Sequence, residues 1–148
     1  MHITVISFDE ITRNLSQAFH LTEEAIQLLK QYNQDLVLDY YDLLQEVIDE
    51  SSISRLAKAE KMFFSFSSFA EVLPSSITNI FVQLHTLAIA KSTSVPVIYL
   101  ISHQDYPYLP NLVSLLEQTF NRPVTLLKNK RDLAKNFLPL EYETSSNS

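Results

Sequence analysis

The chain has 148 residues, of which 46% are hydrophobic and 19% are charged, and its formal net charge at pH 7 is −6. This length supports one domain with a sizeable core and is too short for two ordinary domains. The absence of cysteine excludes disulfides, zinc–thiolate sites, iron–sulfur clusters and thiol catalysis, and the acidic balance argues against nucleic acid as a partner.

Glycine is absent from the whole sequence. Average usage near 7% would supply about ten glycines in a chain of this length. Glycine lets the backbone adopt positive φ or approach a ligand closely, and the common phosphate-binding loops depend on that freedom. The composition therefore argues against ordinary nucleotide-binding loops.

Strands alternate with helices along the chain. Short β-branched or continuously apolar runs predict strands, and longer stretches with apolar residues at helical spacing predict helices. Ser51 or Ser52 is the predicted cap of the second helix, and Pro74 lies in the first turn of the third. In chain order the predicted elements are strand 2–7, helix 12–31, strand 35–41, a helical connection over 43–58, strand 61–66, helix 73–91, strand 95–102, helix 110–121, strand 123–128 and a short helix 130–137.

This element order predicts a single three-layer α/β/α domain over residues 1–138, followed by a disordered tail over 139–148. Parallel neighbours need crossover connections, so five strands separated by helices form a parallel sheet that is covered on both faces. With right-handed crossovers the predicted strand order is 2-1-3-4-5. Ligands of such doubly wound domains bind beyond the carboxyl ends of the strands, which places a candidate site at residues 7–12, 67–74 and 102–110.

Three loops at these strand ends resemble loops of the flavodoxin-like superfamily. Residues 7–13, Ser-Phe-Asp-Glu-Ile-Thr-Arg, have the length of the flavodoxin phosphate loop and share its first Ser and last Thr. Residues 67–74 are similar to the second flavin loop, with Phe69 where an aromatic side chain flanks the flavin ring. Residues 102–106 and the following helix and strand look like the matching part of the NrdI family, the flavodoxin-like proteins that serve class Ib ribonucleotide reductase. Residues 74–79, Pro-Ser-Ser-Ile-Thr-Asn, resemble the NADPH-dependent FMN reductases about as well.

These resemblances imply a flavodoxin-like fold, FMN as the cofactor and two related activities. The NrdI resemblance implies electron transfer through FMN to a ribonucleotide reductase radical subunit, and the second resemblance implies a small NAD(P)H-dependent FMN reductase. A cofactor-free flavodoxin-like protein-binding module is a third hypothesis, so enzymatic activity stays open. The residues that the resemblance assigns to the flavin are Ser7, Thr12, Arg13, Asn14, Ser67, Phe69, Ser102, His103 and Tyr106.

The first loop carries two acidic residues, Asp9 and Glu10. A carboxylate at ~4 Å from a phosphate charge is repelled by about 4 kcal/mol at an effective dielectric constant near 20, and by much less if it points to solvent. The alternative interpretation is that both acids lie at the start of the first helix, where they favour its dipole. Either interpretation predicts weakened FMN binding.

The remaining candidate residues are interpreted as follows. His103 and Asp105 are an acid/base pair only if a nucleophile or metal accompanies them, and no spacing supports either, so a solvated loop is the simpler interpretation. Tyr106 and Tyr108 are interpreted as hydrophobic packing within their loop, and the alternative is that they stack a flavin or a partner. If no cofactor binds, Phe69, Tyr106 and Tyr108 are expected to form an exposed aromatic cluster that binds a protein partner or a second copy of the chain. His2 and His20 are isolated and carry no signal, and His85, within a helical pattern, is interpreted as a partly buried surface residue and not as a ligand. The acidic residues at 39–42 and 49–50 are interpreted as a polar strand end and helix face, so no metal site is predicted.

The N-terminal residues are typical of a strand and not of a signal peptide, and no apolar run has the length of a membrane span. The sequence therefore predicts a cytoplasmic protein without a membrane partner.

Overall fold

The structure is a computed structural model, and it describes residues 1–9, 17–45, 48–67, 75–92, 95–102 and 106–137. Its strands are β1 (His2–Asp9), β2 (Val37–Asp42), β3 (Lys61–Ser67), β4 (Val97–Ile101) and β5 (Val124–Leu127). Its helices are α1 (Gln17–Tyr32), α2 (Glu50–Ala57), α3 (Ser75–Lys91), α4 (Leu109–Phe120) and α5 (Lys130–Phe137). The predicted tail over 139–148 and the predicted first-turn Pro74 lie outside the described residues.

The five strands form one sheet in the order β2-β1-β3-β4-β5, and every neighbouring pair is parallel. The predicted architecture and strand order are thus confirmed. The helices cover both faces because buried parallel strands need apolar cover on each side. One face packs against α2, α3 and α4 around Phe64, Ile98 and Leu100, and the other packs against α1 and α5 around Val5 and Phe63.

β1 is two residues longer than the sequence predicted. Its pairing with β3 continues from Ile3 opposite Lys61 to Asp9 opposite Ser67. The length of β1 is therefore set by a strand more than fifty positions away, which local sequence does not report. In contrast, the predicted bounds of α5 are confirmed without change.

The cap of α2 is Asp49, and the prediction of Ser51 or Ser52 is wrong. The Asp49 carboxylate accepts a hydrogen bond from the backbone N–H of Ser52 at 2.9 Å, and the Ser51 hydroxyl donates to the same oxygen at 2.9 Å. These bonds hold the pKa of Asp49 below its usual value, and the bond from the backbone N–H of Ser52 has the largest effect. An acidic cap also favours the helix dipole.

Two of the residues that the structure describes adopt the left-handed conformation, in a chain that has no glycine. Ser92 follows α3 with φ of 52°, and Asn121 follows α4 with φ of 53°. Asparagine tolerates this conformation better than most residues, whereas serine does not share that tolerance. α3 and α4 thus end without glycine, which is the residue that usually takes the left-handed conformation after a helix.

Among the described residues, no helix combines the length and apolarity needed to cross a bilayer.

Candidate functional site

The sheet has a topological switch point at the carboxyl ends of two neighbouring strands, β1 and β3. These strands are neighbours, but β1 leads into α1 on one face of the sheet and β3 leads into α3 on the opposite face. Helices that leave adjacent strands on opposite faces open a gap between their N-termini, and ligands of doubly wound sheets bind in that gap. The crevice above β1 and β3 is therefore the candidate site.

Two buried hydroxyl groups lie side by side just below this crevice. Ser7 and Ser65 are opposite each other in the β1–β3 pairing and both are almost fully buried. Within the part of the chain that the structure describes, neither hydroxyl has a hydrogen-bond partner. Ser7 lies two positions after Val5 and so faces α1, as Val5 does. Ser65 was not among the predicted site residues, although a serine that interrupts the apolar run 61–66 indicates a polar group inside the strand.

The extension of β1 changes the position of Ser7 relative to the edge. Ser7 is inside the strand, two residues before its end, which corresponds to roughly 7 Å along the strand. Ser67 is the last residue of β3 and lies opposite Asp9. Ser7 is therefore part of the strand and not of the loop predicted to begin there, and it supports the edge from below.

The β4 side of the site is built by Ser102 and Tyr106. Ser102 is fully buried, and its backbone N–H donates to the carbonyl of Leu127 at 3.1 Å. Tyr106 is only 8% exposed, belongs to the core under α2, α3 and α4, and stacks on Tyr108 with ring centroids 5.3 Å apart. The interpretation of Tyr106 as hydrophobic loop packing is confirmed, and the alternative that it belongs to an exposed aromatic cluster is wrong, because its ring packs inward at the start of α4.

The other predicted site residues lie outside the described residues. They are Thr12, Arg13, Asn14, Phe69 and His103, together with Glu10 and Asp105. Their assignment to the flavin stays a prediction, as does that of Ser7, Ser67, Ser102 and Tyr106.

The donors present at the edge determine how well an FMN phosphate fits. Buried hydroxyls without partners occur at Ser7 and Ser65, whereas the described ends of β1, β3 and β4 carry no lysine or arginine. Flavin phosphates can be held by hydroxyl and backbone N–H groups without a cation. A phosphate at this edge would therefore be held by hydroxyl and backbone N–H groups of the loops that follow the strands, with Ser7 and Ser65 buried beneath them.

A charged cluster that the sequence did not reveal lies at the opposite end of the sheet. The Asp39 carboxylate is 2.5 Å from Nε2 of His2 and accepts two hydrogen bonds from Arg55 at 2.8 and 2.9 Å. Burial alone would raise the pKa of Asp39, but the bonds from His2 and Arg55 outweigh it and hold that pKa below its ordinary value. The interpretation of His2 as isolated is wrong, because its contact with Asp39 joins β1 to β2, while Arg55 joins α2 to β2.

This His2–Asp39–Arg55 cluster is not part of the candidate site. His2 begins β1 and lies five residues before Ser7, about 17 Å along the strand. Within the described ranges, no group of three or more potential ligands could hold a metal ion. The cluster therefore has a structural role.

A three-layer domain with this strand order and a crevice at the β1–β3 switch point has the flavodoxin-like fold. Solved structures with the same fold include an azoreductase from Bacillus anthracis strain Sterne, with a TM-score of 0.59, 10% sequence identity and coverage of 84% of each chain. The azoreductase AzrA has a TM-score of 0.56 and 10% identity over 99% of this chain and 98% of its own. Smu.1420 from Streptococcus mutans UA159 has a TM-score of 0.55 and 13% identity over the same shares.

At these identities the likeness establishes the fold and leaves the activity open. No protein-family model matches the chain, and no curated protein matches it significantly. The solved structures agree with the predicted flavodoxin-like fold, and they give no support to the resemblance to the NrdI family. A ribonucleotide reductase subunit as partner stays a prediction.

Proposed function

We propose that this protein is a small flavodoxin-like oxidoreductase of the NAD(P)H-dependent FMN reductase type, which binds FMN weakly at the carboxyl ends of β1, β3 and β4. The observation that carries the proposal is the switch point between β1 and β3, where α1 and α3 leave on opposite faces of the sheet. The fold shared with two azoreductases supports the same class of activity.

Different residues at the carboxyl edge of the sheet would bind the phosphate and the ring of the flavin. Thr12, Arg13 and Asn14 follow β1 and would donate hydrogen bonds to the phosphate near the start of α1, where the helix dipole favours an anion. Phe69 follows β3 and would lie against the flavin ring. Bound FMN would supply a ring that accepts a hydride from a reduced nicotinamide.

Weak binding follows from the charge of the first loop. Asp9 ends β1, and Glu10 follows it. Each carboxylate held at ~4 Å from the phosphate would raise the binding free energy by about 4 kcal/mol. Flavin that binds weakly exchanges with solution, which is the behaviour of a substrate and not of a permanent prosthetic group.

Titration of the purified chain with FMN, followed by quenching of flavin fluorescence, tests the proposal. We expect weak quenching by the unmodified chain, and at least tenfold tighter binding, about 1.4 kcal/mol, after Asp9→Asn with Glu10→Gln. Asp35→Asn with Glu60→Gln is the matched control, because it removes two charges as well, from exposed residues beside the amino ends of β2 and β3, and it should leave the affinity unchanged. Consumption of NADPH in the presence of FMN then reports the activity.

Absence of quenching up to about 1 mM flavin, equivalent to about 4 kcal/mol of binding, by both the unmodified chain and the double variant would overturn the proposal. The cofactor-free binding module would then be the better hypothesis. Quenching without NADPH consumption would retain the flavin site and reject the reductase activity.

A further inference from the structure

A cluster of cations lies at the carboxyl end of β5, at the same edge of the sheet as the candidate flavin site. Lys128 follows β5, and Lys130 and Arg131 are the first two residues of α5. Among the described residues that directly follow the other strands or begin the other helices, there is no further lysine or arginine. Residues 128–131, the β5–α5 turn, are therefore a positive region of this edge in a chain whose net charge is −6.

The backbone of the β5–α5 turn is fixed by two reciprocal hydrogen bonds. Oδ1 of Asn129 accepts a bond from the backbone N–H of Asp132 at 3.0 Å, and Oδ2 of Asp132 accepts one from the backbone N–H of Lys128 at 2.8 Å. These bonds cap the start of α5 with polar side chains of the turn itself. The cap therefore does not depend on the side chains of Lys130 and Arg131.

The positions of Lys130 and Arg131 oppose the dipole of α5. Cations are favourable near the C-terminus of a helix and unfavourable in its first turn, and Asp132 offsets only part of this effect. Nζ of Lys130 is 3.4 Å from Oε1 of Glu24, but the Lys130 side chain is 80% exposed, so the pair adds little stability. Arg131 is exposed as well. The fold gains little from these two cations, which favours a role in binding a ligand.

The β5–α5 turn is too far from the start of α1 for one phosphate group to bind at both places. The strand order separates β5 from β1 by three strand spacings and from β3 by two. With about 4.8 Å between neighbouring strands, these separations are about 14 Å and about 10 Å, whereas a hydrogen bond spans about 3 Å. An anion at the turn is therefore a second phosphate, carried by a ligand that extends along the edge from above β3.

We infer that the β5–α5 turn binds the 2′-phosphate of NADPH and so makes the protein prefer NADPH to NADH. This inference rests on the proposed function, in which a reduced nicotinamide delivers a hydride to FMN. The 2′-phosphate is a monoester with a charge of about −1.5 to −2 at pH 7, whereas each phosphate of the pyrophosphate bridge is a diester with less charge. The planar guanidinium of Arg131 suits a phosphate monoester because it can donate two parallel hydrogen bonds. Since NADH lacks the 2′-phosphate, the turn discriminates between the two reductants.

Isothermal titration calorimetry of the purified full chain with NADP⁺ and with NAD⁺, each with and without FMN, tests the inference without turnover. We expect NADP⁺ to bind at least about tenfold more tightly than NAD⁺. Lys130→Gln with Arg131→Gln should abolish this preference and leave the affinity for NAD⁺ unchanged. Lys30→Gln with Lys58→Gln is the matched control, because it removes two positive charges from exposed residues in the last turn of α1 and just after α2. The control should keep the preference for NADP⁺.

Equal affinities of the unmodified chain for NADP⁺ and NAD⁺, no binding of either dinucleotide, or a preference that survives in the turn variant would each overturn the inference. Equal loss of the preference in the control would overturn it too, because the effect would then be one of net charge.

A titration with FMN separates failure of this inference from failure of the proposed function. The variant Lys130→Gln with Arg131→Gln should bind FMN as the unmodified chain does, because the β5–α5 turn is about 14 Å from β1. Weaker FMN binding in this variant would place the flavin phosphate at the turn and overturn the inference. If no protein binds FMN but the preference for NADP⁺ is present and is lost in the turn variant, the proposed function fails and the phosphate site is retained.

Discussion

Replacing Thr4 by valine is expected to stabilise the protein, whereas the same replacement at Thr22 is expected to destabilise it. Both residues are almost completely buried. The Thr22 hydroxyl donates to the carbonyl of Ala18 at 2.8 Å, but the Thr4 hydroxyl has no partner among the described residues. The two substitutions are identical in shape, so they differ in the hydrogen bond alone.

The expected magnitudes follow from this difference. A buried hydroxyl without a partner costs about 1–3 kcal/mol, and valine at Thr4 removes that cost in a central strand where a β-branched residue fits well. Loss of the Thr22 hydrogen bond costs about 0.5–1.5 kcal/mol. Since 1 kcal/mol changes the melting temperature of a domain of this size by roughly 2–4 °C, the two variants should move in opposite directions by several degrees.

Urea unfolding followed by circular dichroism measures both changes in the free energy of unfolding. The dependence on urea concentration should be the same for all three proteins, because the surface exposed on unfolding does not change. A loss of stability in Thr4→Val as large as that in Thr22→Val would refute the reasoning, since it would mean that the Thr4 hydroxyl is hydrogen-bonded in solution.

Three further substitutions test local features. Ser92→Gly is expected to raise the free energy of unfolding by about 0.5–1 kcal/mol, because glycine adopts positive φ without strain. Asn121→Gly should change the free energy of unfolding by less. Urea unfolding of both variants checks the comparison. Asp39→Asn is expected to lower the free energy of unfolding by about 1 kcal/mol near neutral pH. Folding lowers the pKa of Asp39. The contribution of Asp39 to the free energy of unfolding is therefore complete above the ordinary pKa of 3.8 and disappears as the pH falls through the lower folded-state pKa. The free energies of unfolding of the variant and the unmodified chain should thus converge in acid. A constant difference down to low pH would contradict this assignment.

The strand order and helix positions could be predicted because each buried strand is a local apolar run, and crossover handedness leaves few ways to connect such runs. The end of β1 could not, because Phe8 and Asp9 continue the strand only through their pairing with Phe66 and Ser67. The cap at Asp49 was accessible to sequence reasoning, since aspartate is among the preferred capping residues.

The candidate site was predictable in place but not in detail. The edge of the sheet follows from topology, whereas the burial of Tyr106 depends on its stacking with Tyr108 and on the core beneath α4. Ser65 was hidden within an apolar strand, and its importance appears only when Ser7 is found opposite it. The pairing of His2 with Asp39 likewise joins residues far apart in the chain. Tertiary contacts of this kind have no local signature.

The position of Asp39 also bears on association between molecules. β2 is an outer strand of the sheet, and its first two residues, Val37 and Leu38, are exposed. An outer strand with apolar residues is a template on which a strand from another chain can add, and charged side chains within it discourage that addition. Asp39 and Asp42 place two carboxylates in a strand of six residues. An incoming strand would have to desolvate both, so the same carboxylate that fastens α2 to the sheet also protects the protein from edge-to-edge aggregation.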